Sequence, residues 1–236
     1  MMIKSLTFLF LLISTILSAQ EPSKFFDSAD NFFQTYVENG KVKYTEIKQN
    51  PKALSYLMGE AKKIEISIKN PDQYKAFWIN SYNLAVISGI VKNYPVNSPM
   101  DIDGFFDKTS YEIGGKEVTL NSIENDLLRA KFPEPRFHFV LVCAAISCPP
   151  IIPEAYKPET LDNQLQRQTE KAMNNPQFVQ VQNDKVLFSE IMKWYEQDFT
   201  KNGQTIIEFA NKYRKTPIPN NFETGFYKYN WNLNEY

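Results

Sequence analysis

The sequence predicts an α+β fold: several helices packed around a small, mostly antiparallel sheet, in a single domain spanning residues 20–236. Three observations carry that prediction. Long segments with helical apolar spacing alternate with short β-rich runs. Two pairs of those short runs flank turn dipeptides, Gly114-Gly115 and Asn183-Asp184. No Pro/Gly/Ser-rich linker divides the chain. Glycine is scarce, 8 in 236 residues, which argues against a sandwich with many tight turns, while 18 Phe and 13 Tyr supply a sizeable core.

The elements follow in order. Met1–Ala19 has the form of a secretory signal peptide: Lys4, the apolar run Leu6–Leu17, then small and polar residues with a cleavage point near Ala19. The apolar run is too short to span a bilayer comfortably, and no later segment is apolar enough to do so. No cysteine follows the run, which argues against a lipid anchor. The protein is therefore expected to be periplasmic or secreted, without an integral span once the signal is removed. Phe25–Val37 reads as a helix with Phe25, Phe26, Phe32, Phe33 and Tyr36 toward one side, broken by the Asn39-Gly40 turn. Pro51–Lys63 is a second helix. Asn70-Pro71-Asp72 starts a third, running to about Asn93; it is apolar nearly all round and so predicted to be buried.

Tyr111–Ile113 and Lys116–Leu120 form a hairpin about Gly114-Gly115, since paired glycines supply the positive φ of a two-residue turn. Asn121 is placed to cap a helix through Arg129. Phe137–Cys143 reads as a buried strand. Thr160–Asn174 is a polar helix. Phe178–Gln182 and Lys185–Phe188 form a second hairpin, and Ser189 caps a helix with Trp194 and Tyr195. Gln204–Tyr213 is a further helix, and the aromatic tail GFYKYNWNLNEY packs as a last strand or extended segment.

The net charge of −1 gives no long-range attraction for nucleic acid and no basic membrane patch. The chemistry-bearing residues are concentrated: His138, the single histidine, and both cysteines, Cys143 and Cys148, lie within Arg136–Pro150. On a strand His138 would face the side of Val140 and Val142. It is either a core histidine hydrogen-bonded through its ring or a general base. Cys148 lies in Ser147-Cys148-Pro149-Pro150, a stiff loop that could present a thiol to a cleft. In an oxidising compartment a Cys143–Cys148 disulfide is the competing reading, if the chain reverses there. One His and two Cys make a poor metal set, a Cys-x-x-Cys motif is missing, and no cofactor is called for.

Asn80 and Asn83 share one face of the third helix beside Trp78. They either bind a substrate or tie the helix to neighbouring backbone. Glu124 is either the carboxylate of an Asn121-x-x-Glu124 capping box or a general acid or base. Arg129 and Asp198 are either an ordinary solvated pair or a clamp for an anionic substrate.

Together, FWINSYN (Phe77–Asn83), the Gly-Gly hairpin with LNSIENDLLR (Leu120–Arg129), FHFVLVCAAISCPP (Phe137–Pro150), FSEIMKWYEQDF (Phe188–Phe199) and YNWNLN (Tyr229–Asn234) resemble the domain of unknown function 547 family. The resemblance implies an exported globular domain and brings no agreed reaction. The chain departs from the family pattern at one point. Asn125 stands where the family has a histidine in an Ile-Glu-His triplet. Asn125 can neither titrate nor shuttle a proton, which leaves His138 as the sole imidazole.

Two functions compete. One is a binding or structural module of the cell envelope, with a peptide, glycan or envelope protein as partner; the aromatic content, the missing family histidine and the disulfide reading motivate it, and an exposed Trp/Tyr cluster without a nucleophile nearby would favour it. The other is a thiol-dependent hydrolase or acyl-transfer enzyme. In it Cys148 is nucleophile and His138 base, Glu124 supports the site, and Asn80 or Asn83 orients the imidazole or an oxyanion. A pocket lined by His138 and Cys148 favours this second reading.

Overall fold

The computed structural model describes residues 14–236; the signal-peptide expectation falls largely outside the described residues. The first helix, α1 (Ser14–Tyr36), buries Phe25, Phe26, Phe32 and Phe33 and leads into a short hairpin, β1 (Val37–Glu38) and β2 (Lys41–Val42). Asn39 and Gly40 turn it with φ of 52° and 79°. Gly40 has a second constraint: a Cβ there would stand 2.6 Å from Cβ of Pro150, so this turn packs directly on the Ser-Cys-Pro-Pro loop.

Two helices follow, α2 (Tyr44–Gln49) and α3 (Lys52–Lys63), and then α4 (Pro71–Asn93), the axis of the molecule. Every residue of α4 from Ala76 to Ile87 is buried, as its all-round apolar character requires. α1, α2 and α3 pack against it. The glycine hairpin, β3 (Ser110–Ile113) with β4 (Lys116–Thr119), docks on the end of α3. There the N–H groups of Gly114 and Gly115 bond the carbonyls of Ala61 and Lys62 at 2.8 and 3.0 Å. Both glycines have positive φ, 66° and 71°, the geometry a two-residue turn demands.

The next segment differs from its sequence reading. The cap is Thr119, not Asn121. Its side chain accepts from the N–H of Ser122, and the Ser122 side chain accepts from the N–H of Thr119. One short turn, α5 (Leu120–Ser122), then widens into a π-helix over Ile123–Arg129. Glu124 is thus released from any capping duty.

The predicted strand Phe137–Cys143 is absent. Pro135–Phe139 is a 3-10 turn, started by Pro135 and by the Glu134 carboxylate accepting from the Arg136 N–H at 3.2 Å. The run is buried on all sides, a pattern that periodicity cannot assign to strand or helix. Its backbone partner is a side chain. The Asn83 amide donates to the Val140 carbonyl and accepts from the Val142 N–H, each at 2.9 Å, in place of a neighbouring strand.

The second half holds α6 (Leu161–Asn174) and a three-stranded sheet of β5 (Val179–Gln182), β6 (Lys185–Ser189) and β7 (Glu223–Tyr227). β5 and β6 are antiparallel about Asn183; β7 returns parallel to β6. The crossover carries α7 (Glu190–Trp194), capped by Ser189, α8 (Glu196–Phe199) and α9 (Ile206–Asn211), opened by a Thr205/Glu208 capping box. The α+β class therefore holds. Among the described residues the sheet component is three small sheets rather than one, all antiparallel except the β6–β7 pair. No described helix is long and apolar enough to cross a membrane.

Candidate functional site

The tail positions the cysteine loop. Ile146 and Ser147 donate backbone bonds to the carbonyls of Asn232 and Asn230, and Asn234 donates to the carbonyl of Ala144. The Asn230 N–H bonds the Ser147 hydroxyl at 2.8 Å. Within that loop Cys143 and Cys148 are joined at disulfide distance, with Cα atoms 6.3 Å apart. The reversal that the C-x4-C spacing needs is made at Ala144, whose φ is 63°. The Cys143 N–H points at the Cys148 sulfur, and the Tyr229 hydroxyl lies 3.1 Å from each sulfur. Burial raises the Tyr229 phenol far above its usual range, so it remains a proton donor to the sulfur pair.

His138 sits in the 3-10 turn with its ring almost wholly covered. Nε2 lies 2.8 Å from Oδ2 of Asp198, and Nδ1 faces Oε1 of Glu124 at 3.9 Å. Its ring stacks on Tyr195, centroids 4.0 Å apart, and meets Phe199 at 5.2 Å. Asp198 also accepts from Nε of Arg129 at 2.7 Å. Arg129 is held in turn by Oδ1 of Asn125 and lies 4.6 Å from the Tyr195 ring centre. The His138 hydrogen bond, and after it the Arg129 bond, hold the Asp198 carboxyl well below the usual carboxylate range, against the opposing effect of burial. Asn125 is thus the outer end of a chain Asn125–Arg129–Asp198–His138.

These groups open on one cavity of about 220 Å³. His138, Glu124, Cys143 and Cys148 all line it, with Tyr82, Tyr195, Tyr229, Trp194, Trp231 and Phe106 as its aromatic walls. Trp194, Tyr229 and Trp231 pack on one another with centroids 4.7–5.7 Å apart, and Trp194 is 46% exposed. Glu124 enters from the π-helix with its side chain 13% exposed, its Oε1 3.9 Å from Nδ1 of His138. The wider π-turn is a device found often at functional sites.

The predicted site residues thus divide. Glu124, His138, Cys143 and Cys148 come together. Asn80, Asn83 and Trp78 do not reach the cavity. The Asn80 amide brackets Tyr156, donating to its carbonyl at 2.7 Å and accepting from its N–H at 2.9 Å. Asn83 is spent on Val140 and Val142. Trp78 is buried under the glycine hairpin, where a Cβ on Gly114 would stand 3.0 Å from the indole. All three are scaffold, because their polar groups are either used by backbone or sealed from solvent. The Arg129–Asp198 pair is neither a solvated surface pair nor an anion clamp; it holds the imidazole. Sequence reasoning did not place Asp198, Tyr195, Tyr229, Trp194 and Trp231 at the site. Their signal was membership in the two late motifs, Phe188–Phe199 and Tyr229–Asn234. Among the described residues no cluster of three His, Cys, Asp or Glu side chains could hold a metal ion.

No curated protein and no solved structure matches the chain. A family model does, over residues 67–171, a span that holds Glu124, His138 and both cysteines and stops short of Trp194, Asp198, Tyr229 and Trp231. That family is described as "Protein of unknown function, DUF547", and the chain resembles it over those residues as its motifs imply.

Proposed function

We propose that this chain is an exported binding module of the cell envelope whose cavity receives a small ligand or a single side chain of a peptide, glycan or protein partner. The observation that carries the reading is the state of the two sulfurs. A nucleophilic cysteine works as a thiolate, and the sulfurs lining this cavity are joined to each other beneath Tyr229. What the cavity offers instead is an aromatic wall and one carboxylate. Its volume of about 220 Å³ lies below the ~300–1,000 Å³ of pockets that take drug-sized ligands. Export is supported by the Met1–Ala19 pattern and by cysteines paired as an oxidising compartment favours.

The second reading, a thiol-dependent hydrolase or acyl-transfer enzyme using Cys148 and His138, is favoured by two specific observations. Both residues line the same cavity, and Asp198 orients the imidazole as an orienting carboxylate would. It requires the sulfurs to be reduced.

Native iodoacetamide labelling read by intact mass, with and without prior reduction, separates the two. The binding reading expects no adduct on the air-oxidised protein, and a thermal shift with at least one class of small ligand while the sulfurs stay paired. A fast native adduct on Cys148 without added reductant would set the binding reading aside in favour of the enzyme.

A further inference from the structure

The carboxylates at and beside the cavity, Asp198, Glu124 and Glu190, outnumber its one guanidinium, Arg129, and that excess names a ligand class. Arg129 and Asp198 cancel, each being the other's partner at 2.7 Å. His138 has Nε2 committed to Asp198. Glu124 remains, largely enclosed beside the Tyr195 hydroxyl and faced by Nδ1 of His138 at 3.9 Å, with no lysine or arginine in ion-pair contact among the described residues. Behind the aromatic wall stands a further carboxylate, Glu190, which accepts from the N–H of Tyr229. A carboxylate withdrawn from water toward a cavity gains most from a cation. The other walls are suited to the same guest: aromatic ring faces carry negative potential and attract an ammonium group at about 6 Å or less. Trp194, Trp231, Tyr229 and Tyr195 provide such rings on the cavity that Glu124 enters.

We infer that the cavity binds a small organic ammonium ion, its alkylated head among the aromatic rings and its charge toward Glu124. The inference rests on the binding reading above and specifies its ligand. An anionic ligand would meet Glu124 with no free cation to offset it. A neutral apolar ligand would leave the carboxylate with no more than its Tyr195 and His138 neighbours. An alkylated ammonium satisfies both walls at once, because it is weakly hydrated and carries charge.

Trp194 and Trp231 at the cavity make tryptophan fluorescence the readout. The air-oxidised protein is titrated with choline, with its neutral carbon isostere 3,3-dimethylbutan-1-ol, and with phosphocholine. Choline is expected to bind about tenfold tighter than the isostere. Glu124→Gln is expected to lose about that factor for choline while leaving the isostere unchanged. Phosphocholine, which brings a phosphate toward Glu124, is expected to bind more weakly than choline, pointing to a free ammonium rather than a phospholipid headgroup. Equal affinity for choline and the isostere, or an unaffected Glu124→Gln variant, overturns the ammonium assignment and leaves a binding cavity for apolar ligands. A phosphocholine affinity above that of choline overturns the free ammonium. Silence from all three probes overturns the assignment too, and a thermal-shift response to other ligand classes then decides whether the binding reading survives.

Discussion

Two helical segments carry polar side chains into the interior of this protein, and they do opposite things with them. On α4, Asn80 and Asn83 spend their amides on the backbone of Tyr156 and of Val140 and Val142. On the π-helix, Asn125 and Arg129 pass their bonds along a chain that ends at His138, while Glu124 faces the cavity beside the Tyr195 hydroxyl. Buried polar groups are nearly always satisfied. The difference teaches where each helix directs its polar groups: those of α4 are bonded to backbone within the fold, while the π-helix brings a carboxylate to the wall of the cavity.

The largest effect should come from α4. Asn83→Leu keeps the volume but orphans the Val140 carbonyl and the Val142 N–H, each at about 1–3 kcal/mol. A loss of about 4 kcal/mol, or a fall in Tm of roughly 10 °C, is expected in thermal unfolding. A change of less than about 1 kcal/mol would mean that the 137–143 segment does not depend on its side-chain partner.

An intermediate effect belongs to the link between the segments. Asp198→Asn should lower stability at neutral pH by about 1.5 kcal/mol, since it weakens charge-assisted bonds in a partly exposed site. The sign with pH is fixed. The folded-state pKa of Asp198 is depressed, so its contribution is complete above the unfolded value of about 4 and fades as pH falls toward the folded one. The gap between wild type and variant in urea midpoints should therefore close on acidification below pH ~4. A gap that is constant with pH would show that the carboxylate contributes shape alone.

The smallest effect is expected at Glu124. Glu124→Gln should change stability by no more than about 0.5 kcal/mol in either direction, because the charge it removes has no strong partner. If this variant unfolded as early as Asn83→Leu, Glu124 would be scaffold and the comparison would collapse.

Legibility in the sequence follows the same division. Elements written in local punctuation were readable: α3, α4, the hairpin about Gly114-Gly115, and the helix capped by Ser189. Their signals are turn dipeptides, caps and apolar spacing within a few residues. The 137–143 segment was misread because the group that replaces its strand partner, Asn83, lies more than fifty residues away. The capping box was misplaced by two residues because Thr119 and Asn121 are both good caps, and only the close of the β4 strand chooses between them. Glu124, His138 and Cys148 could be singled out by residue type. Asp198 could be suspected as a partner of Arg129, but its place beside an imidazole sixty residues earlier has no trace in spacing.

The cavity wall made by the tail has a consequence for the order in which the protein is made. Tyr229 and Trp231, and the Asn230–Asn234 backbone that pins the cysteine loop, follow every helix and named strand among the described residues. Synthesis runs from the N-terminus, and earlier parts fold first where they can. A nascent chain that has emerged as far as α9 already carries Glu124, His138, both cysteines and the walls Tyr82, Phe106, Trp194 and Tyr195, yet lacks the walls Tyr229 and Trp231. The sulfurs meet Tyr229 only once residues 229–234 have folded back across the loop.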